Sequence, residues 1–357
     1  MTTQEIDTAK QQAFAAHTMS ILNGGALSLM LSIGHQTGLF DAMDGLPPST
    51  SEQIADAASL NERYVREWLG AMVTGRVIEY DGTAGTYTLP AEHAAFLTRA
   101  AGPGNLASFG QFIPLIGNVE PGIIDSFRNG GGVPYSEYPM FHRLMSENSA
   151  QRFDGMLIDV TLPIVPGLIE RLQSGIDVAD MGCGSGHAIN LMAKAFPASR
   201  FVGYDFSEEG IAAGKAEATE MGLSNAEFKV KDIAALDGAE QFDLITVFDA
   251  IHDQAHPARV LQGISDSLKP GGVFLCADVA ASSHLADNMD LPLGPFFYSL
   301  STMHCMTVSL ALGGTGLGNM WGEQKALEMF ADAGFKHVDV KQVEGDMINN
   351  YYVARKD

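Results

Sequence analysis

Cysteine is scarce in this chain of 357 residues. Its three cysteines, Cys183, Cys276 and Cys305, cannot form a disulfide framework. The first ten residues are polar and include acids, so they lack the apolar core of a secretory signal. We therefore expect reduced thiols and a cytoplasmic protein.

Basic side chains are also few. The chain has 21 Lys and Arg against 43 Asp and Glu, which gives a net charge of −22 at pH 7. Such a chain repels phosphate backbones and anionic membranes, so neither a nucleic acid nor a membrane is an expected partner. Hydrophobic residues make up 46% and charged residues 18%, which indicates a globular protein, and the length suits two domains.

No long unbroken apolar run is present. Two stretches, 11–40 and 291–322, contain no Asp, Glu, Lys or Arg, but Gly, Ser, Thr, Asn and His interrupt both. Neither offers the continuous apolar segment that a membrane-spanning helix needs. We expect both stretches to be buried, inside a domain or between subunits.

Residues 1–100 show the pattern of a winged-helix domain. A helix is predicted over 17–39, two shorter helices over 51–58 and 61–73, and a hairpin over 75–89. The functional interpretation would be DNA recognition, but this segment has 5 basic and 11 acidic side chains. We therefore favour a dimerisation module.

Residues 101–170 and 171–357 differ in pattern. The first segment is rich in Gly, Pro and aromatic residues and is predicted to be a linker with lid helices. The second alternates strands and helices, which predicts an α/β domain with a parallel sheet and helices on both faces. Its last two strands, 336–343 and 350–355, leave no room for a crossover helix and should pair antiparallel at the sheet edge. The five earlier strands are predicted at 176–180, 200–205, 226–231, 242–249 and 272–278.

A glycine-rich loop follows the first of these strands. The strand ends in Asp180, and Gly182, Gly184 and Gly186 then form a G-x-G-x-G turn that opens a helix. Glycines in such a turn let a ligand lie against bare backbone. The loop alone is weak evidence for any one ligand, and His187 stands where the dinucleotide fingerprint needs glycine.

Acidic residues end the next two strands. Asp205 is placed to accept from ribose hydroxyls, and Asp232 is placed to receive an adenine amino group. Phe206 and Ile233 could enclose the adenine between them. Carboxylates at successive strand ends suit a neutral nucleoside with a cationic tail, whereas they would repel a pyrophosphate.

These motifs, together with L-K-P-G-G at 268–272, resemble those of the class I S-adenosylmethionine-dependent methyltransferases. The resemblance covers roughly residues 170–357 and implies a Rossmann-like sheet of seven strands. It also implies that the Gly182–Gly186 loop approaches the methionine part of the cofactor, that Asp205 holds the ribose and that Asp232 holds the adenine. Phe248, at the end of the fourth strand, is counted with the cofactor-binding residues.

The N-terminal segment adds a second resemblance. A mainly helical, winged-helix-like domain ahead of such a catalytic domain is similar to the small-molecule O-methyltransferases. It is more similar still to a bacterial group of winged-helix methyltransferases that includes mycobacterial members. This resemblance implies a homodimer that acts on a small molecule.

The segment after the fourth strand carries the chemistry that the resemblance implies. Methyl transfer needs a nucleophile close to the methyl group, with its proton removed where necessary. In the O-methyltransferases a His-Asp pair at this point supplies a general base, and His252 with Asp253 matches that pair. The tryptophan that follows in the family is Gln254 here, so the match is incomplete.

A metal-dependent alternative uses the same segment. His252, Asp253 and His304 are two histidines and a carboxylate, the ligand set of a non-haem iron site. This arrangement resembles the phenylpyruvate C-methyltransferase branch, in which a divalent metal holds a 2-oxo acid and methylation falls on carbon. A third interpretation makes His304 a histidine of the core.

The substrate pocket is predicted to be apolar. Its candidate walls are the aromatic and methionine residues of two segments, namely Tyr135, Tyr138, Phe141, Phe297, Tyr298 and Met303.

The predicted function is methyl transfer from S-adenosylmethionine to a small molecule. A winged-helix transcription regulator that senses S-adenosylmethionine is the alternative from another class. The methyl acceptor and the atom methylated stay open.

Overall fold

The computed structural model describes residues 6–236 and 238–357. The chain separates into two compact units, one that ends at Pro114 and one that begins at Leu115. Each unit has its own hydrophobic core.

The first unit is mainly helical with a two-stranded antiparallel hairpin. Its elements are α1 (Thr8–Gln36), α2 (Leu39–Met43), α3 (Ser51–Ala58), α4 (Glu62–Thr74), β1 (Glu79–Asp81), β2 (Thr86–Thr88), α5 (Ala91–Leu97) and α6 (Phe112–Gly117), which runs across the boundary, with 3-10 turns at Arg99–Gly104 and Ser108–Gln111. The predicted succession of helix, helix and hairpin is confirmed.

Local contacts explain how α3 begins and how the helices of this unit pack together. Thr50 caps α3, because its side chain accepts from the Gln53 backbone N–H while the Gln53 side chain accepts from the Thr50 N–H. Trp68 of α4 is buried with its ring edge against Phe40, and its indole N–H donates to the Met30 carbonyl at 2.9 Å. These contacts join α1, α2 and α4 around one core.

The long first helix departs from the prediction. It covers Thr8–Gln36 and ends before Gly38. The φ of 72° at Gly38 is left-handed and does not continue a right-handed helix, so α2 follows as a separate helix. Residues 8–26 are exposed, so the expected burial inside a domain is wrong for this part. By length and composition alone α1 would be long and apolar enough to cross a membrane, a weak indication that core helices and signal sequences also give. Most of the second uncharged stretch, 291–322, is buried or half-buried, as expected.

The second unit is an α/β domain. Its elements are α7 (Glu120–Asn129), α8 (Phe141–Met156), α9 (Leu168–Ser174), β3 (Asp177–Met181), α10 (His187–Ala195), β4 (Arg200–Asp205), α11 (Glu208–Glu220), β5 (Ala226–Val230), β6 (Phe242–Phe248), α12 (Pro257–Ser267), β7 (Leu268–Val279), α13 (Gly294–Leu300), α14 (Met306–Ala311), α15 (Gly322–Asp332), β8 (Val338–Lys341) and β9 (Asn349–Arg355). Short 3-10 or π turns lie at Tyr135–Glu137, Leu157–Thr161, Leu162–Ile164, Ile233–Ala235, Leu285–Asn288 and Ser301–Cys305.

Seven strands form one sheet in the order β5-β4-β3-β6-β7-β9-β8. The first five are parallel, and β9 pairs antiparallel with both β7 and β8. Two apolar clusters cover the two faces of the sheet. The predicted Rossmann-like sheet and its antiparallel edge are therefore confirmed.

One boundary of the sheet differs from its prediction. The L-K-P-G-G segment was expected to be a turn before a strand at 272–278, but β7 begins at Leu268. Leu268 pairs with Phe242 of β6, and the register shifts before the next pair. The Gly271 N–H donates to the Lys356 carbonyl at 3.0 Å. Pairing on both sides extends the strand through a segment whose composition is typical of a turn.

Candidate active site

A cavity of about 980 Å³, part of it open to solvent, lies at the carboxyl edge of the parallel strands in the second unit. Its walls come from the loop after β3, the ends of β4 and β6, the start of the 3-10 turn after β5, and α8. Ligands of open parallel sheets bind at this edge, where the strand order reverses between β3 and β6.

The glycine-rich loop forms one wall of the cavity. Gly182, Gly184 and Gly186 all have positive φ, of 74°, 54° and 72°. A Cβ on Gly186 would lie 2.2 Å from the Phe228 ring, and one on Gly182 would lie 2.7 Å from the Ala250 Cβ. A Cβ on Gly184 would meet nothing within 4 Å and would point into open space. Two glycines are thus required by the fold, while Gly184 leaves room for a ligand.

Two buried carboxylates stand beside this loop. Asp205 accepts from the backbone N–H groups of Gly184 and Ser207, both at 2.8 Å, so it ties the loop to the end of β4. Asp180 accepts from the Thr246 hydroxyl at 2.7 Å. Burial raises the pKa of both carboxyls, that of Asp180 to about 7. Both line the cavity.

The structure brings most of the predicted cofactor-binding residues together. The predicted residues that line the cavity are Asp180, Gly182, Gly184, Asp205, Phe206, Ile233 and Phe248. Gly186 backs onto Phe228 instead. Asp232 is exposed and caps the 3-10 turn by accepting from the Ala234 N–H at 2.8 Å, and it does not line the cavity.

A half-buried ion pair in the cavity wall is absent from the sequence predictions. The Arg152 Nη1 atom of α8 donates to the Asp249 Oδ2 atom at 2.6 Å. Arg152 lies over the rings of Phe153 and Phe248, at 4.5 and 5.8 Å from their centroids. The partners are 97 residues apart, so no sequence spacing indicates the pair. The φ of 53° at Asp249 marks a strained position.

His252 is held by a carboxylate that the sequence predictions missed. Its Nδ1 atom lies 2.8 Å from the Oδ1 atom of Asp278, which also accepts from the Val279 N–H at 2.8 Å. Burial alone would lower the pKa of His252, but the charge of Asp278 outweighs it and raises that pKa well above its ordinary value. Asp278 ends the strand beside β6, and an acid at that strand end was the available signal. His252 does not line the cavity, whereas Asp253 and Gln254 do.

Asp253 and Tyr135 form a second polar pair. The Tyr135 hydroxyl donates to the Asp253 carboxylate, and the Gln254 side-chain amide donates to the same carboxylate at 3.2 Å. Burial raises the pKa of Asp253 and keeps Tyr135 protonated by raising its pKa as well. The Tyr135 ring packs near Phe141 and Phe206, with centroids 5.6 and 5.3 Å away.

Aromatic rings enclose His304. Phe141 is stacked on it at 4.4 Å, and Tyr138 and Tyr135 lie edge-on at 4.7 and 5.3 Å. Its Nε2 atom is buried with no hydrogen-bond partner. Burial, assisted by the charge of His252, lowers the pKa of His304 to about 3. The imidazole is therefore neutral over the physiological range.

The metal-dependent alternative receives no support from this arrangement. His252 pairs with Asp278, and Asp253 pairs with Tyr135, while His304 sits among rings. Within residues 6–236 and 238–357, no group of three or more His, Cys, Asp or Glu side chains is arranged to hold a metal ion. Because His252 and Asp253 each bind another side chain, the three residues do not converge on one point as metal ligands would.

The predicted substrate residues fall into two places. Tyr135 and Phe141 line the cavity, and the Tyr138 hydroxyl donates to the Met303 carbonyl behind them. Phe297 packs in a separate cluster with Val279 and Ala281. The Tyr298 hydroxyl accepts from the Asn288 amide at 3.1 Å. Phe297 and Tyr298 thus do not line this cavity.

Two protein families match separate segments of the chain. Residues 25–99 match the Rv2258c-like winged HTH domain, and residues 172–334 match a methyltransferase domain. Among curated proteins, the ubiquinone biosynthesis O-methyltransferase of Ruegeria pomeroyi is 29% identical over 110 residues, which cover 31% of this chain and 44% of that protein. The demethylmenaquinone methyltransferase of Lactococcus lactis is 25% identical over 197 residues, which cover 51% of this chain and 74% of that protein. The chain thus spans less than half of the first of these relatives.

Solved structures match over nearly the whole chain. Human N-acetylserotonin methyltransferase, in complex with S-adenosylmethionine, has a TM-score of 0.66 at 17% identity and covers 100% of this chain and 99% of its own. Mitomycin 7-O-methyltransferase has a TM-score of 0.71 at 17% identity and covers 98% and 100%. At such identities the likeness shows the fold. Residues 25–99 are thus similar to the Rv2258c-like winged HTH domain and residues 172–334 to a methyltransferase domain, and the chain has the fold of the methyltransferases of known structure.

Proposed function

We propose that the protein transfers a methyl group from S-adenosylmethionine to a small molecule. The observation that carries the proposal is the open face of Gly184 beside the buried Asp180 and Asp205 at the carboxyl edge of the sheet. When bound, the cofactor supplies a methyl group on a sulfonium, whose positive charge these carboxylates favour. Phe206 and Ile233 supply the apolar wall for the adenine.

The proposal includes His252 as the general base. Asp278 fixes the orientation of the imidazole and stabilises its protonated form, which is the arrangement that a proton-accepting histidine needs. Asp253 directly follows His252 in the sequence and lines the cavity. The acceptor is accordingly expected to carry an ionisable hydroxyl or thiol.

The first experiment is a binding comparison by thermal shift. S-Adenosylhomocysteine should raise the melting temperature of the second unit, because a ligand that binds only the folded state stabilises it by an amount that grows with the logarithm of the ligand concentration. At 100 times its dissociation constant the gain is about 2.7 kcal/mol. NAD, whose pyrophosphate the carboxylates repel, should have no effect. A shift with NAD and none with S-adenosylhomocysteine would overturn the proposal.

The Gly184→Ala variant should lose cofactor affinity without losing the fold. Its methyl group would occupy the open space of the cavity, and the positive φ adds a strain of about 1 kcal/mol. Gly222→Ala is the matched control, since Gly222 has a φ of 68° and equally open surroundings outside the cavity. Calorimetry should show weaker S-adenosylhomocysteine binding only for Gly184→Ala. Equal affinity in both variants would place the ligand elsewhere.

We further propose that α1 joins two copies of the chain. Apolar side chains such as Phe14, Met19 and Leu22 are exposed along it, and a Cβ on Gly24 or Gly25 would meet nothing within 4 Å. A helix from a second copy would bury this surface, which is costly to leave in water. A homodimer therefore belongs to the proposal. The small-molecule substrate and the cytoplasmic location expected from the sequence belong to it as well.

The Leu22→Asp variant should dissociate such a dimer. A buried carboxylate in place of leucine in each copy is expected to raise the dissociation constant by at least roughly 100-fold. Light scattering after size-exclusion chromatography gives the mass, and Tyr64→Asp, at another exposed position, is the control. A monomeric wild-type protein at micromolar concentration would contradict the proposal.

The described residues of the first unit, from residue 6 onward, give no support to the regulator alternative. On α4, which would enter a DNA groove, Arg63 pairs with Glu67 and Arg66 pairs with Glu62. The acidic partners offset the basic charge that phosphate contacts require. The proposal therefore includes neither nucleic acid nor membrane among the partners, and a gel shift with salt-dependent affinity would count against it.

A further inference from the structure

We propose that the phenol side chain of Tyr135 occupies the place of the methyl acceptor in this structure. The acceptor is then an aromatic compound with a hydroxyl group, and it binds by displacing this side chain. This role of Tyr135 rests on the proposed function, because it concerns the cavity in which the cofactor is proposed to bind. In the absence of an acceptor, Tyr135 closes this part of the cavity.

Tyr135 lies at the border between the cofactor wall and a group of aromatic rings. Its half-buried side chain lines the cavity. On one side its ring centroid is 5.3 Å from that of Phe206, which belongs to the proposed cofactor wall. On the other side it lies 5.6 Å from Phe141 and 5.3 Å from His304. A single ring thus fills the space between the two groups.

The contacts of Tyr135 define the chemistry of a ligand that could replace it. Its hydroxyl donates to the Asp253 carboxylate, and the ring meets Phe141 and His304 in edge-on geometry. Burial and the charge of Asp253 raise the pKa of Tyr135, so the hydroxyl keeps its proton. A carboxylate acceptor beside aromatic rings suits a flat ring that carries a protonated hydroxyl group.

The exchange of one hydroxyl for another leaves the Asp253 carboxylate with a donor. Asp253 is half-buried and lines the cavity, and burial raises its pKa. A carboxyl group in such a place is costly to leave without a hydrogen-bond partner. Tyr135 supplies the partner in this structure, and an acceptor hydroxyl would supply it in turn. The displacement therefore costs little at this carboxylate.

The turn that carries Tyr135 is placed so that it can move. Tyr135 is the first residue of the 3-10 turn Tyr135–Glu137, and both Pro134 and Glu137 are exposed. Two hydrogen bonds lie within this segment, from the Glu137 N–H to the Pro134 carbonyl at 3.0 Å and from the Tyr138 N–H to the Tyr135 carbonyl at 3.1 Å. The turn is thus held against the cavity by the Tyr135 side chain.

Anchors on both sides confine the movement to this turn. The Val133 N–H donates to the Thr307 hydroxyl at 2.8 Å. A Cβ on Gly132 would lie 2.0 Å from the Thr307 carbonyl oxygen, so the backbone there lies directly on α14. On the other side, the Tyr138 hydroxyl donates to the Met303 carbonyl. The fixed flanks allow Tyr135 to leave and return while the helices around it stay in place.

Binding of 4-methylphenol, which is the tyrosine side chain without its backbone, tests the proposal. Calorimetry is carried out on protein saturated with S-adenosylhomocysteine. Tyr135→Ala should bind 4-methylphenol at least roughly 10-fold more tightly than the wild type, because the tethered ring of the wild type competes at an effective concentration on the order of millimolar. This variant should prefer 4-methylphenol to toluene by roughly 10- to 100-fold, the range for a hydrogen bond to a charged group.

Two further variants separate displacement from a change in the fold. Tyr298→Ala removes another half-buried tyrosine of the second unit, whose hydroxyl accepts from Asn288 outside the cavity, and it should bind 4-methylphenol like the wild type. Tyr135→Phe keeps the ring but loses the bond to Asp253. It should bind 4-methylphenol more tightly than the wild type and less tightly than Tyr135→Ala. If Tyr135→Ala does not fold, the comparison of Tyr135→Phe with the wild type decides.

Each other outcome contradicts one proposal. Equal affinity of the wild type and the Tyr135 variants for 4-methylphenol would overturn the role of Tyr135, and so would equal binding of 4-methylphenol and toluene. If Tyr135→Ala gained the same factor in affinity for S-adenosylhomocysteine, the ring would occupy the place of the cofactor and not that of the acceptor. Failure of the wild type to bind S-adenosylhomocysteine would instead overturn the proposed function.

Discussion

The His252→Asn variant is expected to lower kcat by roughly 100- to 10,000-fold, the contribution of a general base. The dissociation constant of S-adenosylhomocysteine should not change, because His252 is not among the residues proposed to hold the cofactor. Asparagine can still donate to Asp278, so the buried carboxylate keeps a partner. The measurement is transfer of a labelled methyl group to an acceptor found by screening phenols and thiols with the wild type.

The pH dependence provides an independent test of the same residue. A general base works only when it is deprotonated, and Asp278 raises the pKa of His252 above its ordinary value. Activity should therefore increase with pH, with the midpoint above about 6.5, the ordinary value for histidine. Asp278→Asn removes the stabilising charge and should shift this midpoint to lower pH.

Asp253→Asn is the comparison that could reassign the base. The Asp253 carboxylate lines the cavity and accepts from Tyr135. If this variant loses turnover while His252→Asn retains it, Asp253 accepts the proton and the proposed role of His252 is wrong. If only His252→Asn loses turnover, Asp253 contributes to substrate orientation.

Regular features of the fold could be predicted because they depend on local patterns. The alternation of strands and helices in 171–357 predicts the parallel sheet, and the short spacing of the last two strands predicts their antiparallel pairing. Asp205 was predictable as a cavity residue because the ends of neighbouring parallel strands meet at one edge. Its bond to the Gly184 N–H was not, since a loop conformation decides it.

Contacts between distant segments could not be predicted in this way. Arg152 and Asp249 lie on α8 and at the end of β6, and nothing in either segment indicates the other. Asp232 followed the family pattern at its strand end, yet its carboxylate caps a 3-10 turn. An aspartate side chain can accept a hydrogen bond from a backbone N–H two residues later in the chain, and this local bond competes with contacts to a ligand.

The exposure of α1 has a similar cause. Its uncharged sequence predicts burial, and a single chain provides a partner only for its last turns, near Ser32 and His35. Whether the remaining apolar side chains are covered depends on a second molecule. An apolar sequence can thus predict that a helix surface is buried, but it does not indicate whether the same chain or a second molecule covers that surface.

His304 gives the second large expected effect, on stability. Because its pKa is about 3 in the folded state and about 6.5 when unfolded, the unfolded state binds a proton that the folded state does not. Acidification between these values therefore destabilises the wild type. His304→Phe removes this contribution, so the difference in unfolding free energy between variant and wild type should change by about 2 kcal/mol from pH 7.5 to pH 5, in favour of the variant.

Urea unfolding followed by tryptophan fluorescence measures this difference. The chain has two tryptophans, one in each unit, so a Trp68→Phe background leaves Trp321 to report on the second unit alone. His304→Gln is the control. It cannot stack as phenylalanine does, so its absolute stability should be lower, but it also does not titrate and should show the same change with pH. A difference that stays constant between pH 7.5 and pH 5 in both variants would mean that His304 takes up a proton in the folded protein as readily as in the unfolded chain, in spite of its aromatic surroundings.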